Sequence, residues 1–345
     1  MHHFDYRGLA GTLDARLTNL VSILYDLRAR NDLRGQQDAA EFERLKQAAV
    51  IESVRGSNAI EGIVTTKSRL TELMQGAKPY THGEQEIVGY KNALQEIYAP
   101  GFSASLTEDY LCHLHSLLLG STSAEAGTYK RENNWIQERD AEGHVFVRFK
   151  PVPASETPDA MRQMVLAYHE ARQDARICDL LLVGCVIVDF LCIHPFTDGN
   201  GRLSRLLTTM LLGRSGFDVC RYVSMEGMID EYKVGYYDAL KASSEGWHEN
   251  ENSYEPFCLY LLQIIYACYQ ELDKRYVEGT LKRVPKSDRV RTLLMDAYVP
   301  ISKAEICDRL PEVGVRTVER VLSTLINEGS VEKIGTYRDA RYRRL

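Results

Sequence analysis

The distribution of apolar residues along the chain favours helices over strands. Over most of the sequence these residues recur at intervals of about three to four, as on one face of a helix. In the N-terminal part the clearest examples are residues 13–30, 39–60 and 83–98. A nearly unbroken apolar run at residues 180–193 predicts a helix buried on all sides. The predicted fold class is therefore mainly α.

Two short segments depart from this helical periodicity. Residues 135–137 and 144–149 are strand-like, and the polar residues 139–143 between them suit a turn. Pro151 and Pro153 should end the second strand. The pattern predicts one β-hairpin, whose role is either purely structural or part of a binding site.

The residues with the most chemical potential lie together in the segment 194–205. Proline disfavours helical geometry in the residue before it, so the buried helix should end at His194. A glycine-rich loop follows at residues 198–201 and leads into a leucine-bearing helix. Such a loop favours anions, because free N–H groups and the helix dipole both attract negative charge. With Arg202 and Arg205 on one side of the helix, the segment predicts a site for a metal-bound polyphosphate.

This segment resembles the signature of the Fic (filamentation induced by cAMP) family, His-x-Phe-x-Asp/Glu-Gly-Asn-Gly/Lys-Arg-x-x-Arg, at every fixed position. The resemblance implies a Fic helical core with a β-hairpin flap, which would dock the target peptide as an added strand. It also implies AMPylation, in which AMP passes from ATP to a hydroxyl side chain of a target protein. The expected partners are thus ATP as substrate, Mg²⁺ as cofactor and a protein target.

The resemblance implies a role for each residue of the segment. His194 would be the general base that takes the proton of the target Ser, Thr or Tyr, a role that suits an ordinary histidine pKa of about 6.5. Asp198 would hold Mg²⁺ against the α- and β-phosphates. Tyr237 and Asn252 resemble positions that line the adenine pocket in relatives, although such tyrosines are usually core residues. The phosphates would be bound by Gly199, Asn200, Gly201, Arg202 and Arg205, the last of these nearest the γ-phosphate.

A second motif lies near the N-terminus, at residues 57–62. Ser57 and Glu61 are four positions apart and share one helical face, and Gly62 is a natural helix stop. The segment resembles the Ser/Thr-x-x-x-Glu-Gly/Asn inhibitory motif of Fic proteins, placed as in their class II members. The resemblance implies that Glu61 pairs with Arg205 and keeps the γ-phosphate from its productive pose. The alternative is an ordinary helix end with a solvated glutamate.

Composition divides the chain into three regions. The resemblance implies that residues 1–104 form an N-terminal helical region carrying the inhibitory helix and that residues 105–275 form the Fic catalytic domain. A linker around Pro285 leads into a small module at residues 285–345. There, helical patterns at residues 289–298, 302–310 and 315–328 precede strand-like segments at 331–334 and 340–342. This order resembles a winged helix-turn-helix.

The charge of this module differs from that of the rest of the chain. From Lys286 onward there are 12 Lys and Arg against 9 Asp and Glu, whereas the remainder has 30 against 39. A basic module on an acidic protein suits nucleic acid, and Arg316 and Arg320 on the third helix could face a DNA major groove. Docking of a protein target and dimer formation are the alternatives, and homodimers are frequent among Fic relatives.

Other features restrict the classes of function. No apolar run has membrane-spanning length and no signal-peptide pattern is present, so the expected localisation is cytoplasmic and no membrane partner is expected. The eight cysteines include no Cys-x-x-Cys pair. His113 and His115 are too close on a helix to share a face, which favours structural roles.

The sequence therefore favours an AMP-transferring enzyme inhibited by its own N-terminal helix. One alternative is a DNA-binding regulator whose Fic core senses nucleotide. Another is a Fic enzyme with different chemistry, such as removal of AMP or transfer of another nucleotide or phosphate group. The presence of His194, Asp198 and both arginines argues against a degenerate core, because a sensor would not need the base.

Overall fold

Helices dominate the fold, which confirms the predicted mainly α class. The computed structural model describes residues 2–11, 14–139, 142–283, 285–297, 299–336 and 340–345. The chain divides into two compact units, Met1–Asp273 and Lys274–Leu345. Among the described helices, none combines the length and the apolarity needed to cross a membrane.

Among its described residues, the first unit contains the helices around the two motif segments and one β-hairpin. Its helices are α1 (Ala15–Gln37), α2 (Ala39–Ile60), α3 (Lys67–Met74), α4 (His82–Ile97), α5 (Glu108–Leu119), α6 (Thr157–Ala171), α7 (Asp179–Ile193), α8 (Asn200–Arg214), α9 (Met225–Glu231), α10 (Lys233–Ser244) and α11 (Glu255–Arg283), which continues into the second unit. The helix predicted at residues 13–30 starts at Ala15 and runs on to Gln37; Leu13 lies outside the described residues.

Side-chain caps explain where several of these helices begin. Asp14, Thr66, Thr81 and Thr107 precede α1, α3, α4 and α5, and each accepts a hydrogen bond from a backbone N–H of the first turn. These side chains satisfy donors that have no partner within the helix. The polar residues between the apolar patterns therefore set the helix boundaries.

The centre of this unit is α7, whose residues 180–190 are all buried. It packs against α6, α8 and α10. The leucine-rich α8 runs back alongside α7, so the six-residue connection at 194–199 is held between two buried helix ends. The predicted buried helix is thus the scaffold of the candidate site.

The predicted β-hairpin is present in the first unit. Strands β1 (Ile136–Arg139) and β2 (Val145–Phe149) pair antiparallel, with an irregularity between Ile136 and Gln137. β2 ends before Pro151, as expected from proline's missing donor. Of the predicted turn, Asp140 and Ala141 lie outside the described residues.

The second unit joins helices to a small antiparallel sheet. Its further elements are α12 (Lys286–Met295), β3 (Ile301–Ser302), α13 (Lys303–Arg309), α14 (Val315–Asn327), β4 (Val331–Ile334) and β5 (Arg341–Arg344). The strand order is β3-β5-β4. Ser302 and Glu305 form the predicted capping box at the start of α13. Residues 298 and 337–339, within the predicted helix and between the predicted wing strands, lie outside the described residues.

Candidate active site

His194 lies directly after the last residue of α7, in a left-handed backbone conformation. Its φ is 50° and its ψ is 61°, and its N–H still donates to the Phe190 carbonyl at 2.9 Å. A non-glycine residue rarely adopts this conformation, which is strained. Pro195 accounts for the helix stop, since it disfavours the helical conformation at His194. The result is an imidazole that leaves the helix and lines a cavity.

The hydrogen bonding of His194 determines which ring nitrogen is available. Nδ1 lies 3.2 Å from the Leu191 carbonyl, which can only accept, so Nδ1 carries the proton. Nε2 is then the basic nitrogen. Burial lowers the pKa of His194 from 6.5 to about 4, because the imidazolium loses hydration. His194 is therefore neutral at physiological pH, the form that a general base requires.

The loop after His194 is folded around the side chain of Asn200. Its Oδ1 accepts from the Phe196 N–H at 3.0 Å and its Nδ2 donates to the Phe196 carbonyl at 2.7 Å. Both ends of the buried amide are thus used within the loop. Phosphate binding at Asn200 would therefore rely on its backbone N–H group.

Asp198 projects from this loop into the cavity. One carboxylate oxygen accepts from the Gly199 N–H at 2.6 Å, and the other lies 3.6 Å from Arg202. The side chain is 72 % exposed, so it retains lone pairs for a further ligand. Within the described residues, no cluster of three or more His, Cys, Asp or Glu side chains could hold a metal alone. Asp198 could therefore supply one ligand to a cation that takes its others from a nucleotide and water.

Arg205 brings the two sequence motifs together. Its Nε donates to Ser57 Oγ at 2.9 Å, and its Nη2 donates to the Ser57 carbonyl at 3.0 Å and to Glu61 Oε1 at 2.8 Å. Arg205 is only 2 % exposed, so the ion pair with Glu61 is partly shielded from water. The predicted pairing of Glu61 with Arg205 is present in the structure.

The end of α2 aims Glu61 at the loop. Gly62 has a φ of 80°, and its N–H donates to the Ala59 carbonyl at 2.9 Å, as at a glycine that closes a helix. A Cβ on Gly201 would lie 2.5 Å from Glu61 Oε1. Only a glycine at position 201 leaves room for the Glu61 carboxylate to approach the start of α8. Glu61 occupies the space beside the backbone that the sequence predicts to bind phosphate.

Arg202 has a different environment from Arg205. It is 3 % exposed, and its Nη1 donates to Glu86 of α4 at 2.8 Å. Among the described residues that line the cavity, Arg202 does not appear. The structure therefore places this predicted phosphate ligand in a buried ion pair behind the loop, where it braces Asp198.

The cavity has a volume of about 500 Å³ and lies between the loop, α10 and the hairpin. Its polar lining includes Glu61, His194 and residues 198–201, and Ile136 and Phe149 contribute an apolar side from the hairpin. Tyr237 lines the cavity and is 45 % exposed, and its predicted contact with adenine stays a prediction. Nucleotide-sized ligands fit such a volume.

Asn252 is not among the described residues that line this cavity. Its amide lies 3.4 Å from the Ser243 carbonyl at the end of α10. The structure thus does not bring Asn252 to the predicted adenine pocket. Its match to the family rested on position alone.

Asp189 is a buried carboxylate that the sequence pattern did not predict to have a role. It sits in α7 and accepts from Tyr6 at 2.7 Å, Trp247 at 2.8 Å and Tyr254 at 2.9 Å. Burial raises its pKa to about 6, while the three donors act in the opposite direction. These bonds tie the N-terminal segment and the chain after α10 to α7. A single acid within an apolar run was the only sequence clue.

Comparison with known proteins places this geometry in a family. Residues 105–212, which span α5 to most of α8, match the Fic/DOC family. A protein adenylyltransferase Fic from Nematostella vectensis is 29 % identical over 187 residues, covering 51 % of this chain and 40 % of that protein. Protein adenylyltransferase fic-1 from Caenorhabditis elegans is 25 % identical and is covered over 41 % of its length. The chain thus matches about two fifths of each of these relatives.

Solved structures show the same fold. A Fic family protein from Desulfovibrio desulfuricans superposes with a TM-score of 0.63 at 20 % identity, over 97 % of both chains. Fic-1 from Caenorhabditis elegans gives a TM-score of 0.60 at 20 % identity, over 76 % of this chain and 73 % of that one. The helical core, the β-hairpin and the motif loop together define a Fic domain. Residues 105–212 carry the match to the Fic/DOC family, and the solved structures share the fold.

Proposed function

We propose that this protein is an AMP transferase, which moves AMP from ATP to a Ser, Thr or Tyr hydroxyl of a target protein and of itself. The observation that carries the proposal is the placement of His194. Its unprotonated nitrogen lines the same cavity as an anion-binding loop and an exposed carboxylate. The related proteins named protein adenylyltransferase support the same chemistry.

The reaction would proceed by displacement at the α-phosphorus. The target hydroxyl oxygen forms a bond to this phosphorus, and the bond from the phosphorus to the bridging oxygen of pyrophosphate breaks. Nε2 of His194 takes the hydroxyl proton, while Nδ1 stays protonated against the Leu191 carbonyl. Backbone N–H groups at the start of α8 bind the phosphates. The hairpin would hold the target peptide beside His194.

Asp198 fits the role of a Mg²⁺ ligand. A hard carboxylate oxygen suits this cation, which usually takes few protein ligands and shares the rest with phosphates and water. The exposure of Asp198 within the cavity meets that requirement. When bound, Mg²⁺ would hold the α- and β-phosphates and neutralise part of their charge. Arg202 would keep the Asp198 carboxylate facing the cavity.

We further propose that α2 inhibits this activity, as in class II Fic proteins. Glu61 occupies Arg205, which would otherwise bind the γ-phosphate, and its carboxylate would repel that group. ATP could still enter, but its α-phosphate would not lie in line with the attacking hydroxyl. Ser57 steadies the arginine through two further hydrogen bonds.

The test is transfer of label from α-labelled ATP to the protein itself and to lysate proteins. Glu61→Gly should raise labelling, because Arg205 becomes free for the γ-phosphate. His194→Ala in that background should lower the rate by about 10²–10⁴-fold, since a positioned base is lost. Ser57→Ala should raise labelling less than Glu61→Gly. Equal labelling of the parent and Glu61→Gly proteins would refute autoinhibition, and no labelling of either would refute AMP transfer.

For the second unit we propose a winged helix-turn-helix that binds DNA. Three short helices and a three-stranded antiparallel sheet support this fold. Arg316 and Arg320 lie on exposed positions of α14, the third of these helices. Exposed arginines on such a helix suit phosphate and base contacts.

A further inference from the structure

The strained backbone at His194 is held by donors from outside its own helix. Four consecutive carbonyls, those of residues 193–196, each accept a hydrogen bond from the segment after α5. Helix ends leave carbonyls without partners, and the non-helical turn at His194 prevents the usual local closure. A left-handed non-glycine residue persists only where its surroundings determine it completely. These external bonds therefore determine where His194 lies.

Two residues supply these bonds. Lys130 donates from its N–H to the Pro195 carbonyl at 2.9 Å and from Nζ to the Ile193 carbonyl at 3.1 Å. Asn134 donates from Nδ2 to the His194 carbonyl at 3.2 Å and to the Phe196 carbonyl at 3.0 Å. The Asn134 amide thus bridges the residue before and the residue after Pro195.

The orientation of the Asn134 amide is itself determined. Its Oδ1 accepts from Nζ of Lys130 at 2.8 Å, and an ammonium group can only donate. The Nδ2 group must then face the two carbonyls. Lys130 is 4 % exposed, so this arrangement is shielded from water.

His115 completes the arrangement from the neighbouring helix α5. Its Nδ1 accepts from the Gly127 N–H at 2.8 Å, which leaves Nε2 protonated to donate to the Asp198 carbonyl at 3.0 Å. Its ring stacks on Phe196 with the centroids 3.8 Å apart. We call Lys130, Asn134 and His115 together the carbonyl cradle.

We propose that Asn134 is a positioning residue for the transfer reaction, acting through the backbone of His194. This inference rests on the proposed function. Without the two amide bonds, His194 can relax from its left-handed conformation and Nε2 moves away from the incoming hydroxyl. The proposed nucleotide site is formed by the start of α8 and by Arg205, and the described hydrogen bonds of the Asn134 side chain go to Lys130, His194 and Phe196 instead. The expected effect is therefore on the rate of the chemical step, not on ATP binding.

The test uses the full chain with Glu61→Gly as the active parent. Asn134→Asp keeps the oxygen that accepts from Lys130 but replaces the donor with an oxygen that repels both carbonyls. We expect kcat to fall by about 10²-fold, as for a small misplacement of a reacting group. KM for ATP and the calorimetric Kd of Mg·ATP should stay unchanged. Asn134→Leu removes the donor without adding charge and should lower kcat in the same way.

Asn133→Asp is the matched control, one residue away. Asn133 Oδ1 accepts from the Ala154 N–H at 2.8 Å, which an aspartate preserves. This variant should have the kcat of the parent. Parent-like kcat in Asn134→Asp, or an equal loss in Asn133→Asp, would overturn the proposal. So would a rise in KM or Kd that accounts for the whole loss of activity.

A structural readout separates this inference from the proposed function. In NMR spectra, the His194 imidazole signals are identified by their loss in His194→Ala. They should shift in Asn134→Leu and remain in place in Asn133→Asp, whether or not AMP is transferred. Unshifted signals in Asn134→Leu refute the carbonyl cradle, whereas an inactive Glu61→Gly parent refutes only the proposed AMP transfer. Thermal unfolding of each variant identifies any that does not fold, and the other Asn134 variant then carries the test.

Discussion

At His194, burial and hydrogen bonding act on the same imidazole in opposite directions. Loss of hydration lowers the pKa, while the Leu191 carbonyl and the charge of Glu61 raise it. Burial dominates, and the pKa is about 4 instead of 6.5. The base is weaker than a free histidine, but it is fully unprotonated at neutral pH. The contribution of His194 to the rate of transfer must then come largely from its position rather than from its basicity.

This environment predicts the pH dependence of activity. In the Glu61→Gly protein the carboxylate that raises the pKa is absent, so the acid limb of kcat should lie well below pH 6.5. Stability follows the same shift: the unfolded chain binds a proton near pH 6.5, whereas folded His194 does so only near pH 4. The contribution of His194 to the free energy of unfolding should therefore decrease as the pH falls from 6.5 to 4.

The measurements are a pH–rate profile and denaturant unfolding across this range. His194→Gln should reduce the acid loss of stability, because no proton is taken up at this position on unfolding. An acid limb of kcat near pH 6.5 would show that the base is hydrated during turnover. It would contradict the burial argument.

Sequence reasoning succeeded where the determinants were local. Pro195 predicted the helix stop at His194, and the spacing of Ser57 and Glu61 predicted a shared helical face. It could not identify the partner of Arg202, because Glu86 is distant along the chain and resembles any helical glutamate. Asn134 was likewise one polar residue among many before a strand. Their roles follow from tertiary contacts that no periodicity encodes.

At the scale of elements, the end of α2 is held by more than its ion pair. Lys233 at the start of α10 donates from Nζ to the Ile60 carbonyl at 2.6 Å, which places a cation at the negative end of the helix. A Cβ on Gly56 would lie 2.8 Å from the backbone of Glu226, so α2 and α9 approach closely. The same helix α10 carries Tyr237 of the cavity. Thus α10 both lines the cavity and contacts the end of α2.

This contact predicts a partial release of inhibition. Lys233→Met keeps the aliphatic stem but loses the hydrogen bond, for which a charged donor contributes about 1.5 kcal/mol. Self-AMPylation should rise by up to about tenfold, less than in Glu61→Gly. Lys91→Met is the control, because Lys91 donates in the same way to the Leu73 carbonyl near the end of α3. A rise in both variants, or in neither, would contradict the assignment to α2.

At the scale of the whole molecule, the chain carries two compact units with different surfaces. The sequence predicted a mainly α fold and the separate second module from periodicity and charge. It could not predict the sheet order β3-β5-β4, because strands of two to four residues contain too little pattern to define pairing. Packing of buried residues such as Val318 and Leu325 of α14 defines the core of this unit.

The second unit predicts salt-dependent binding of duplex DNA by the full chain. In a gel-retardation series, replacement of both Arg316 and Arg320 by alanine should weaken binding. It should also reduce the slope of log K against log salt by about two, since each lost phosphate contact releases about one counterion fewer. Arg291→Ala, which removes an exposed arginine paired with Glu328, should leave the slope unchanged. Absence of retardation at low salt would favour protein docking or dimer formation.

The shared use of Arg205 has a genetic consequence. Under the proposed function, alleles that escape inhibition can arise at Ser57 or Glu61, because these side chains serve only to inhibit the enzyme. They cannot arise at Arg205, because its loss removes both the partner of Glu61 and the proposed γ-phosphate ligand. A selection for constitutively active alleles should thus collect changes in α2 and its contacts. Revertants of such alleles should fall on the other side of the ion pair, in α8 and the loop before it.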